Sequence, residues 1–373
     1  MPYYYVGFIG AASIMMRPYF YGIIYSMNRN KEKGYKGRAF NIIMFSIASM
    51  FVVSIISLII LQYISRGFET TKTEELVEYD AHYVFIAETK EDDFWNEVYD
   101  KAYTKGISER AYVEYLARSL NVNYSSKDLF RVAINSGVDG IIYGGSVDDD
   151  TVKLINQAVD EGIGVVLLQS DADNSRRQCF VGVNNYELGQ VYASQLAKMY
   201  KPEEFMGKRV RLLVNSGMSE GAINVITLAI EDYFTEKFPE YAIPEIEIIQ
   251  VDTQDVFSAE EDIRNAMLYE NLPDVTICLS STFTQCAYQA LIDLNKVGDT
   301  QILGYFANDA ILDAVQKQII YSTVSIDTNQ MGSYAVAALK EYSTFGYTNS
   351  YVSVKTTVID KYSAGRMINE NVH

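Results

Sequence analysis

Side chains that commonly perform catalysis or bind metals are few in this chain. Its two histidines, His82 and His373, neighbour no serine, cysteine or aspartate motif, so the sequence indicates no nucleophile–base pair. Cys179, Cys278 and Cys286 are odd in number and have no Cys-x-x-Cys spacing, which argues against a disulfide framework or a zinc site, and the apolar run around Cys278 predicts its burial. A phosphate-loop motif ending in Lys-Ser/Thr is also absent from the sequence. We therefore predict a protein that is not an enzyme and uses no metal or cofactor.

Carboxylates are abundant, and adjacent ones are more often part of solvated turns than of acid–base pairs. Asp92-Asp93 and the run Asp148–Asp150 are of this kind, so they do not by themselves indicate acid–base catalysis. Glu88 differs because it ends the apolar run YVFIAE, where a carboxylate would bond hydroxyl or amine groups of a ligand or pair with Lys90. An anchored hydrolase stays an alternative, and it would need two carboxylates facing one cleft about 5–10 Å apart.

Charge is distributed unevenly along the 373 residues, whose net charge is −17. Residues 1–38 carry six basic groups and one acidic group, residues 39–65 carry none, and residues 66–373 carry 25 basic and 47 acidic groups. A body this acidic would repel phosphates, so we predict no nucleic-acid partner. Apolar residues make up 49% and charged residues 21%, which is typical of a globular protein.

The uncharged stretch 39–65 is long enough to cross a membrane. As a helix rising about 1.5 Å per residue it would span roughly 40 Å, against a hydrocarbon core of about 30 Å. The basic residues before it predict a cytoplasmic location for residues 1–38 and an extracytoplasmic one for the acidic body. A buried core helix and a cleaved signal peptide are the alternatives; the apolar region of a signal peptide is only about 7–15 residues long.

The segments on either side of this predicted anchor are less regular. Residues 1–26 are apolar except for Arg17, and they are either a second, poor span or translated sequence upstream of a natural start at Met27. The polar residues 66–80 are predicted to form a stalk. We therefore predict a single-pass cell-membrane protein whose acidic body is extracytoplasmic.

Beyond the stalk, short apolar runs alternate with helical patterns. Helices are indicated at Tyr186–Tyr200, by apolar residues at 3.6-residue spacing, at Asp149–Asp160, before Gly162, and after Ser125, which has capping-box-like spacing. The predicted strands are Tyr83–Glu88, Ala111–Leu116, Gly140–Tyr143, Val165–Gln169, Phe180–Val183, Val210–Val214, Ile246–Gln250, Thr276–Leu279, Ile302–Tyr305, Tyr321–Ser325 and Val352–Val358. This alternation predicts parallel sheets with helices on both faces. About 290 residues favour two such α/β lobes over a TIM barrel or a single large sheet.

Four sequence blocks in order resemble type I periplasmic binding proteins of the ribose- and galactose-binding branch. The blocks are IAETKEDDFWNEVYDKA, GVDGIIYGGSVDDDTVKLINQAVDEGIGVVLLQSDAD, NSRRQCFVGVNNYELGQ and ILGYFANDAILDAVQKQIIYSTVSIDTNQMGSYAVAAL. The resemblance covers about 81–360 and implies two doubly wound parallel-sheet lobes. Lobe 1 would hold 81–183 plus 327–354, and lobe 2 would hold 184–326 plus 355–373. A membrane span stands where related repressors have their DNA-reading domain, which excludes a repressor role.

The resemblance also implies which residues contact a ligand in the cleft, at the carboxyl ends of the strands. Phe94 and Trp95 match the family's stacking pair, with core packing as the alternative; Asp92 matches its polar loop residue, with a helix N-cap as the alternative. Gly145 and Ser146 match the loop under the ligand, with a tight turn capped by Ser146 as the alternative. The other candidates are Glu88, Gln169, Asp171, Asn185, Thr282, Tyr305, Phe306 and Asp327.

Three positions of the second lobe lack the polar residues usual in the family. Thr282 stands near a usual Asn or Asp, Phe306 at a usual Asp, and Ile326 at a usual Gln. Because each lost hydrogen bond is worth about 0.5–1.5 kcal/mol, the ligand is predicted to be less hydroxylated than a hexose, more apolar, or not a monosaccharide. The remaining alternatives are a cleft that no longer binds tightly and an alignment slip that lets Asn308 or Asp309 fill the gap.

Taken together, these features predict an extracytoplasmic solute-binding protein that closes two lobes on a small carbohydrate ligand for an ABC permease. The alternative partner is a membrane sensor kinase, to which the closed state would be presented. An anchored hydrolase is the third hypothesis.

Overall fold

The structure is a computed structural model. It describes residues 44–58, 78–88, 92–120, 124–251, 256–268 and 272–371. The chain divides into two compact units, residues 1–77 and residues 78–373.

In the first unit, residues 44–58 form a helix whose apolar side chains are exposed. Among the described residues, no helix combines the length and the apolar character needed to cross a membrane. The rest of the predicted span 39–65, the basic lead 1–38 and stalk residues 66–77 lie outside the described residues.

The second unit is built on two six-stranded sheets within its described residues. The first sheet has the order β11-β5-β4-β3-β1-β2 and is parallel throughout. Its strands are β1 (Ala81–Ala87), β2 (Ala111–Tyr115), β3 (Gly140–Gly144), β4 (Gly164–Leu168), β5 (Cys179–Gly182) and β11 (Tyr351–Ser353). The continuous apolar runs of β3 and β4 are buried at every position, as expected for parallel strands covered on both faces.

The second sheet has the order β12-β10-β9-β8-β6-β7, and only β12 pairs antiparallel within the described residues. Its strands are β6 (Arg209–Asn215), β7 (Glu245–Val251), β8 (Val275–Cys278), β9 (Gln301–Tyr305), β10 (Ser322–Ile326) and β12 (Thr356–Ile359). The prediction of an α/β protein with two parallel-sheet lobes is confirmed. Cys278 is fully buried in this sheet, as predicted.

Helices cover both sheets. Those of the second unit are α1 (Asp93–Ser108), α2 (Leu116–Ser119), α3 (Ser126–Asn135), α4 (Asp149–Asp160), α5 (Asn185–Met199), α6 (Glu220–Lys237), α7 (Val256–Leu268), α8 (Ser281–Asp293), α9 (Asp309–Gln316), α10 (Thr328–Phe345) and α11 (Lys361–Asn371). Ser125 caps α3 through the Asp128 backbone N–H, as its spacing predicts, and Gly162 ends α4 with a φ of 84°.

Three helices, α5, α10 and α11, follow points where the chain passes between the sheets, and their contacts show which sheet each one covers. Helix α10 follows a strand of the second sheet but packs on α1, β4 and β5 of the first lobe. The approach of α10 to α1 requires Gly332, because a Cβ there would lie 2.3 Å from the Val98 carbonyl oxygen. Helix α5 packs on α6, and α11 packs on α9 and β12, so both belong to the second lobe.

The prediction of a single strand over Val352–Val358 is wrong. Tyr351–Ser353 pairs with β5 in the first sheet, and Thr356–Ile359 pairs with β10 in the second. Valines alternate with polar residues through both strands, because each strand is only partly covered by its own lobe. The break falls at Val354 and Lys355, whose backbone groups bond Gly182 on one side and Asp327 on the other.

Candidate functional site

The carboxyl ends of strands from both sheets meet at one cleft. The cleft encloses a cavity of about 80 Å³. Its lining comes from both lobes and consists of Glu88, Asp92, Phe94, Trp95, Gly144, Gly145, Leu168, Gln169, Ser170, Asn215, Met218, Ala259, Leu279, Ser280, Ser281, Thr282 and Tyr305. Eight of the residues predicted from the sequence to touch a ligand are therefore brought to one cavity: Glu88, Asp92, Phe94, Trp95, Gly145, Gln169, Thr282 and Tyr305.

Asp92 joins the lobes at this cavity. Its carboxylate caps α1 by accepting a hydrogen bond from the Phe94 backbone N–H at 2.8 Å. The Ser281 hydroxyl donates to both carboxylate oxygens at 2.8 Å, and the Thr282 hydroxyl donates at 2.8 Å. Burial raises the pKa of Asp92, and the hydrogen bonds from Thr282 and Ser281 oppose that rise. The N-cap interpretation of Asp92 is confirmed, and its contact with a ligand stays a prediction.

Glu88 makes a second connection between the lobes. It accepts hydrogen bonds from the Ser146 hydroxyl at 2.5 Å and from the Asn215 side-chain amide at 2.7 Å. Gly217 lies against Ser146, because a Cβ on Gly217 would be 2.3 Å from the Ser146 Cβ. Ser146 therefore orients Glu88, and the helix that follows is capped by Asp148, not by Ser146 as the turn interpretation supposed. The pairing of Glu88 with Lys90 lies outside the described residues.

Gln169 and Tyr305 form the third connection. The Gln169 side-chain amide donates a hydrogen bond of 3.2 Å to the Tyr305 hydroxyl. Gln169 and Phe306 each follow a strand that ends at the cleft, and both have left-handed backbone, with φ of 64° and 71°. Such conformations cost about 1–3 kcal/mol and persist where surrounding structure fixes them, as at binding sites. Burial raises the pKa of Tyr305, so its hydroxyl stays protonated and able to donate.

Aromatic rings close the cavity from the first lobe. Phe94 packs edge-to-face on Trp95, with ring centroids 5.0 Å apart, and on Phe306 of the second lobe, at 5.4 Å. The Trp95 ring lies over Gly144, where a Cβ would approach it to 2.4 Å. Phe94 and Trp95 are buried, as the core-packing alternative requires, and both also line the cavity. Their contact with a ligand stays a prediction.

The structure places the other predicted site residues away from the cavity wall. Arg177 pairs with both carboxylate oxygens of Asp171, and Asp171 and Asn185 line a separate cavity of about 400 Å³. Phe306 stands behind Phe94, and Asp327 caps α10 near the chain crossings. Ser146 touches the cavity only through Glu88.

Sequence reasoning missed Asn215, Met218 and Ser281. The signal for Asn215 was available, because it directly follows the predicted strand Val210–Val214 and precedes Ser216 and Gly217. Its partner Glu88 is 127 residues away in sequence, so their contact carries no local pattern. No cluster of His, Cys, Asp or Glu that would hold a metal ion occurs in the part of the chain that the structure describes.

Two α/β lobes whose strand ends enclose a cavity define a two-lobed ligand-binding protein. The sequence profile of the Periplasmic binding protein domain family matches residues 83–346, and the chain belongs to this family. No curated protein matches the chain at a significant level.

Solved structures share the fold. GanP, a glucose-galactose binding protein from Geobacillus stearothermophilus, is 23% identical with a TM-score of 0.62, covering 76% of this chain and 98% of its own. A carbohydrate transporter from Acidothermus cellulolyticus in complex with myo-inositol is 19% identical with a TM-score of 0.61, covering 78% and 97%. The XylFII-LytSN complex contains a chain that is 21% identical with a TM-score of 0.62, covering 76% and 98%.

Proposed function

We propose that this protein is an extracytoplasmic solute-binding protein that encloses a small sugar-like ligand between its two lobes. The observation that carries the proposal is the cavity to which both lobes contribute polar side chains and the first lobe contributes Phe94 and Trp95. Polar groups bond the hydroxyls of a sugar, and aromatic rings cover its C–H faces. Structures of the same fold whose names include glucose-galactose binding and myo-inositol support the ligand class.

Ligand binding requires hinge opening in this proposal. Pockets for small ligands usually measure about 300–1,000 Å³, whereas this cavity measures about 80 Å³. The side chains that would bind a ligand bond each other across the cleft, as Glu88 does with Asn215 and Gln169 with Tyr305. We assign these bonds to a closed state in which polar groups of each lobe occupy partners on the other lobe that a ligand's hydroxyls would use. A ligand replaces these bonds when the lobes open and close again.

The closed state is proposed to be recognised by an ABC permease, which would receive the ligand. Presentation to a membrane sensor protein is the second candidate, supported by the relative that was solved in a complex of two proteins, XylFII and LytSN. The hydrolase hypothesis receives less support, because the carboxylates of Glu88 and Asp92 are both held by hydroxyl or amide donors of the protein. A hydrolase would release a free sugar from a glycoside, which a reducing-sugar assay detects.

We further propose that residues 39–65 anchor the protein, with residues 1–38 in the cytoplasm and 66–80 as a stalk. The uncharged sequence, the basic residues before it and the exposed apolar side chains of the helix over 44–58 support this arrangement. The lobe boundaries after residues 183, 326 and 354 are part of the proposal.

The test is a thermal-unfolding screen of the full-length chain in a non-ionic detergent against neutral pentoses, hexoses and polyols, with nucleosides as a control class. A ligand present at 100 times its dissociation constant should add about 2.7 kcal/mol to the free energy of unfolding. Stabilisation by at least one sugar or polyol is the expected result. If only nucleosides stabilise the protein, the sugar-like ligand class is wrong; if nothing does, the solute-binding proposal is wrong.

A further inference from the structure

The loop between β3 and α4 (residues 145–148) reaches the proposed ligand site at three points. Gly145 lines the cavity, and the Ser146 hydroxyl donates a hydrogen bond of 2.5 Å to the Glu88 Oε1 atom. Gly217 of the second lobe lies against Ser146. The position of this loop therefore sets part of the cavity wall, the orientation of Glu88 and a contact between the lobes.

A buried tyrosine, Tyr143, supports this loop from the core. It lies near the end of β3, is 1% exposed and packs edge-to-face on Phe130 of α3, with ring centroids 5.2 Å apart. Its hydroxyl donates a hydrogen bond of 3.0 Å to the Ser146 carbonyl oxygen and lies 3.2 Å from the Ser126 hydroxyl oxygen. A Cβ on Gly145 would lie 2.5 Å from the Tyr143 hydroxyl, so the loop passes directly over it. Tyr143 thus holds the loop without lining the cavity.

The Ser146 carbonyl oxygen accepts hydrogen bonds from two buried hydroxyls. The second donor is Thr151, at 3.2 Å, in the first turn of α4. Burial raises the pKa of Tyr143 to about 12, so its hydroxyl keeps its proton at neutral pH and can donate. Rotating the Ser146 peptide would break the bonds of both hydroxyls in the interior, where lost hydrogen bonds are costly. The direction of the Ser146 side chain is therefore fixed from the core.

We infer that Tyr143 is a positioning residue for the ligand site, which acts through the Ser146 backbone to aim the Ser146 hydroxyl at Glu88. This inference rests on the proposed function. Ser146 bonds Glu88 Oε1 from within the first lobe, whereas Asn215 bonds Glu88 Oε2 from the second. The bond within the first lobe is retained when the lobes separate, so Glu88 is already oriented when a ligand arrives. Such preorganisation strengthens binding, because less conformational freedom is lost when the ligand binds.

Removal of one oxygen atom tests this role. Tyr143→Phe keeps the ring on Phe130 but loses the bond to Ser146. Tyr99→Phe is the matched control, because the Tyr99 hydroxyl donates to a backbone carbonyl of the same lobe, that of Val113 on β2, at 3.2 Å. Isothermal titration calorimetry with D-glucose, D-galactose and myo-inositol, on the full-length chain in a non-ionic detergent, measures the dissociation constants. Tyr143→Phe should raise the dissociation constant of a bound probe about three- to tenfold, as the loss of one hydrogen bond implies. Tyr99→Phe should change it by less than about twofold.

A double variant separates positioning from general weakening. If Tyr143 acts through Ser146, then Ser146→Ala already removes the hydroxyl that Tyr143 aims. Adding Tyr143→Phe to Ser146→Ala should therefore weaken binding by less than about twofold further. Two residues that acted independently would instead multiply their separate effects.

Hydrogen–deuterium exchange in the absence of sugar measures the loop itself. The backbone N–H groups of Thr151 and Val152 bond Asp148 at the end of the loop. Exchange in peptides over 145–152 should be faster in Tyr143→Phe than in the wild type, and unchanged in Tyr99→Phe.

Three results would each overturn the inference and leave the proposed function intact. They are unchanged exchange in Tyr143→Phe, an equal loss of affinity in Tyr143→Phe and Tyr99→Phe, and multiplied effects in the double variant. If the wild type binds none of the probes, the proposed function is overturned, while the exchange measurement still decides whether Tyr143 fixes the loop.

Discussion

The Ser281 hydroxyl, on the second lobe, donates hydrogen bonds of 2.8 Å to both carboxylate oxygens of Asp92, on the first lobe. The same carboxylate caps helix α1 at Phe94. One side chain thus fixes the start of a helix in one lobe and closes the lobes on each other. Because of this double role, replacing Asp92 should destabilise the protein more than replacing a helix cap that has no bond to the other lobe.

Replacing Asp92 by Ala is expected to lower the free energy of unfolding by about 2–3 kcal/mol. About 1 kcal/mol comes from the lost cap, and the rest comes from leaving the hydroxyls of Ser281 and Thr282 without their acceptor. Chemical denaturation measures the change. Ser125→Ala removes a cap of α3 that has no bond to the other lobe, so it should cost only about 1 kcal/mol. Equal losses in the two variants would contradict the connecting role of Asp92.

Stability should depend on pH through Asp92. Because burial raises the pKa of Asp92 in the folded protein, the folded state holds its proton more tightly than the unfolded state. The contribution of Asp92 to the free energy of unfolding is therefore fully present below about pH 4. It declines as the pH rises through the raised pKa that Asp92 has in the folded protein. The difference in unfolding free energy between the wild type and Asp92→Asn isolates this decline. A difference that grows with rising pH would contradict the assigned direction.

The packing of Trp95 on Gly144 should be intolerant of a single added methyl group. Gly144→Ala would place a Cβ 2.4 Å from the Trp95 ring, so the ring must move, at a cost of about 1–3 kcal/mol, and sugar binding should weaken. Trp95 is the only tryptophan, so its emission reports the change directly. Gly221→Ala is the control, because a Cβ there meets nothing within 4 Å. Unchanged emission in Gly144→Ala would show that the ring does not lie where the structure places it.

The Glu88–Asn215 bond should help to hold the cleft closed. Asn215→Asp places a carboxylate against Glu88, and the repulsion should open the lobes. Trp95 is 6% exposed, so opening should increase the quenching of its fluorescence by acrylamide. Asn329→Asp adds the same charge on the exposed surface of α10 and should leave quenching as in the wild type. Identical quenching in both variants would mean that the bond does not hold the lobes together.

The spacing of apolar residues predicted most of the fold. The resemblance to type I periplasmic binding proteins predicted much of the cavity wall. The strands that end at the cleft were predicted to within two residues, because parallel buried strands are apolar runs bounded by turns. The split of Val352–Val358 between two sheets was not predictable in this way, since apolar character does not say which sheet a residue joins. Position in the chain likewise did not show that Arg177 would pair with Asp171, or that Asn215 would reach Glu88 from the other lobe.

The central claim is that a ligand reaches its site only when the lobes separate, and a reversible lock between them tests this most directly. The Ser146→Cys/Gly217→Cys variant places two thiols where the lobes are in contact. The Cβ atoms need only move from 2.3 Å to the roughly 3.5–4.5 Å of a disulfide. The measurement is a Trp95 fluorescence titration with neutral sugars and polyols, in the oxidised and the reduced protein. We predict saturable binding by the reduced form and none by the oxidised form. Equal binding by both forms would contradict a ligand site that opens between the lobes.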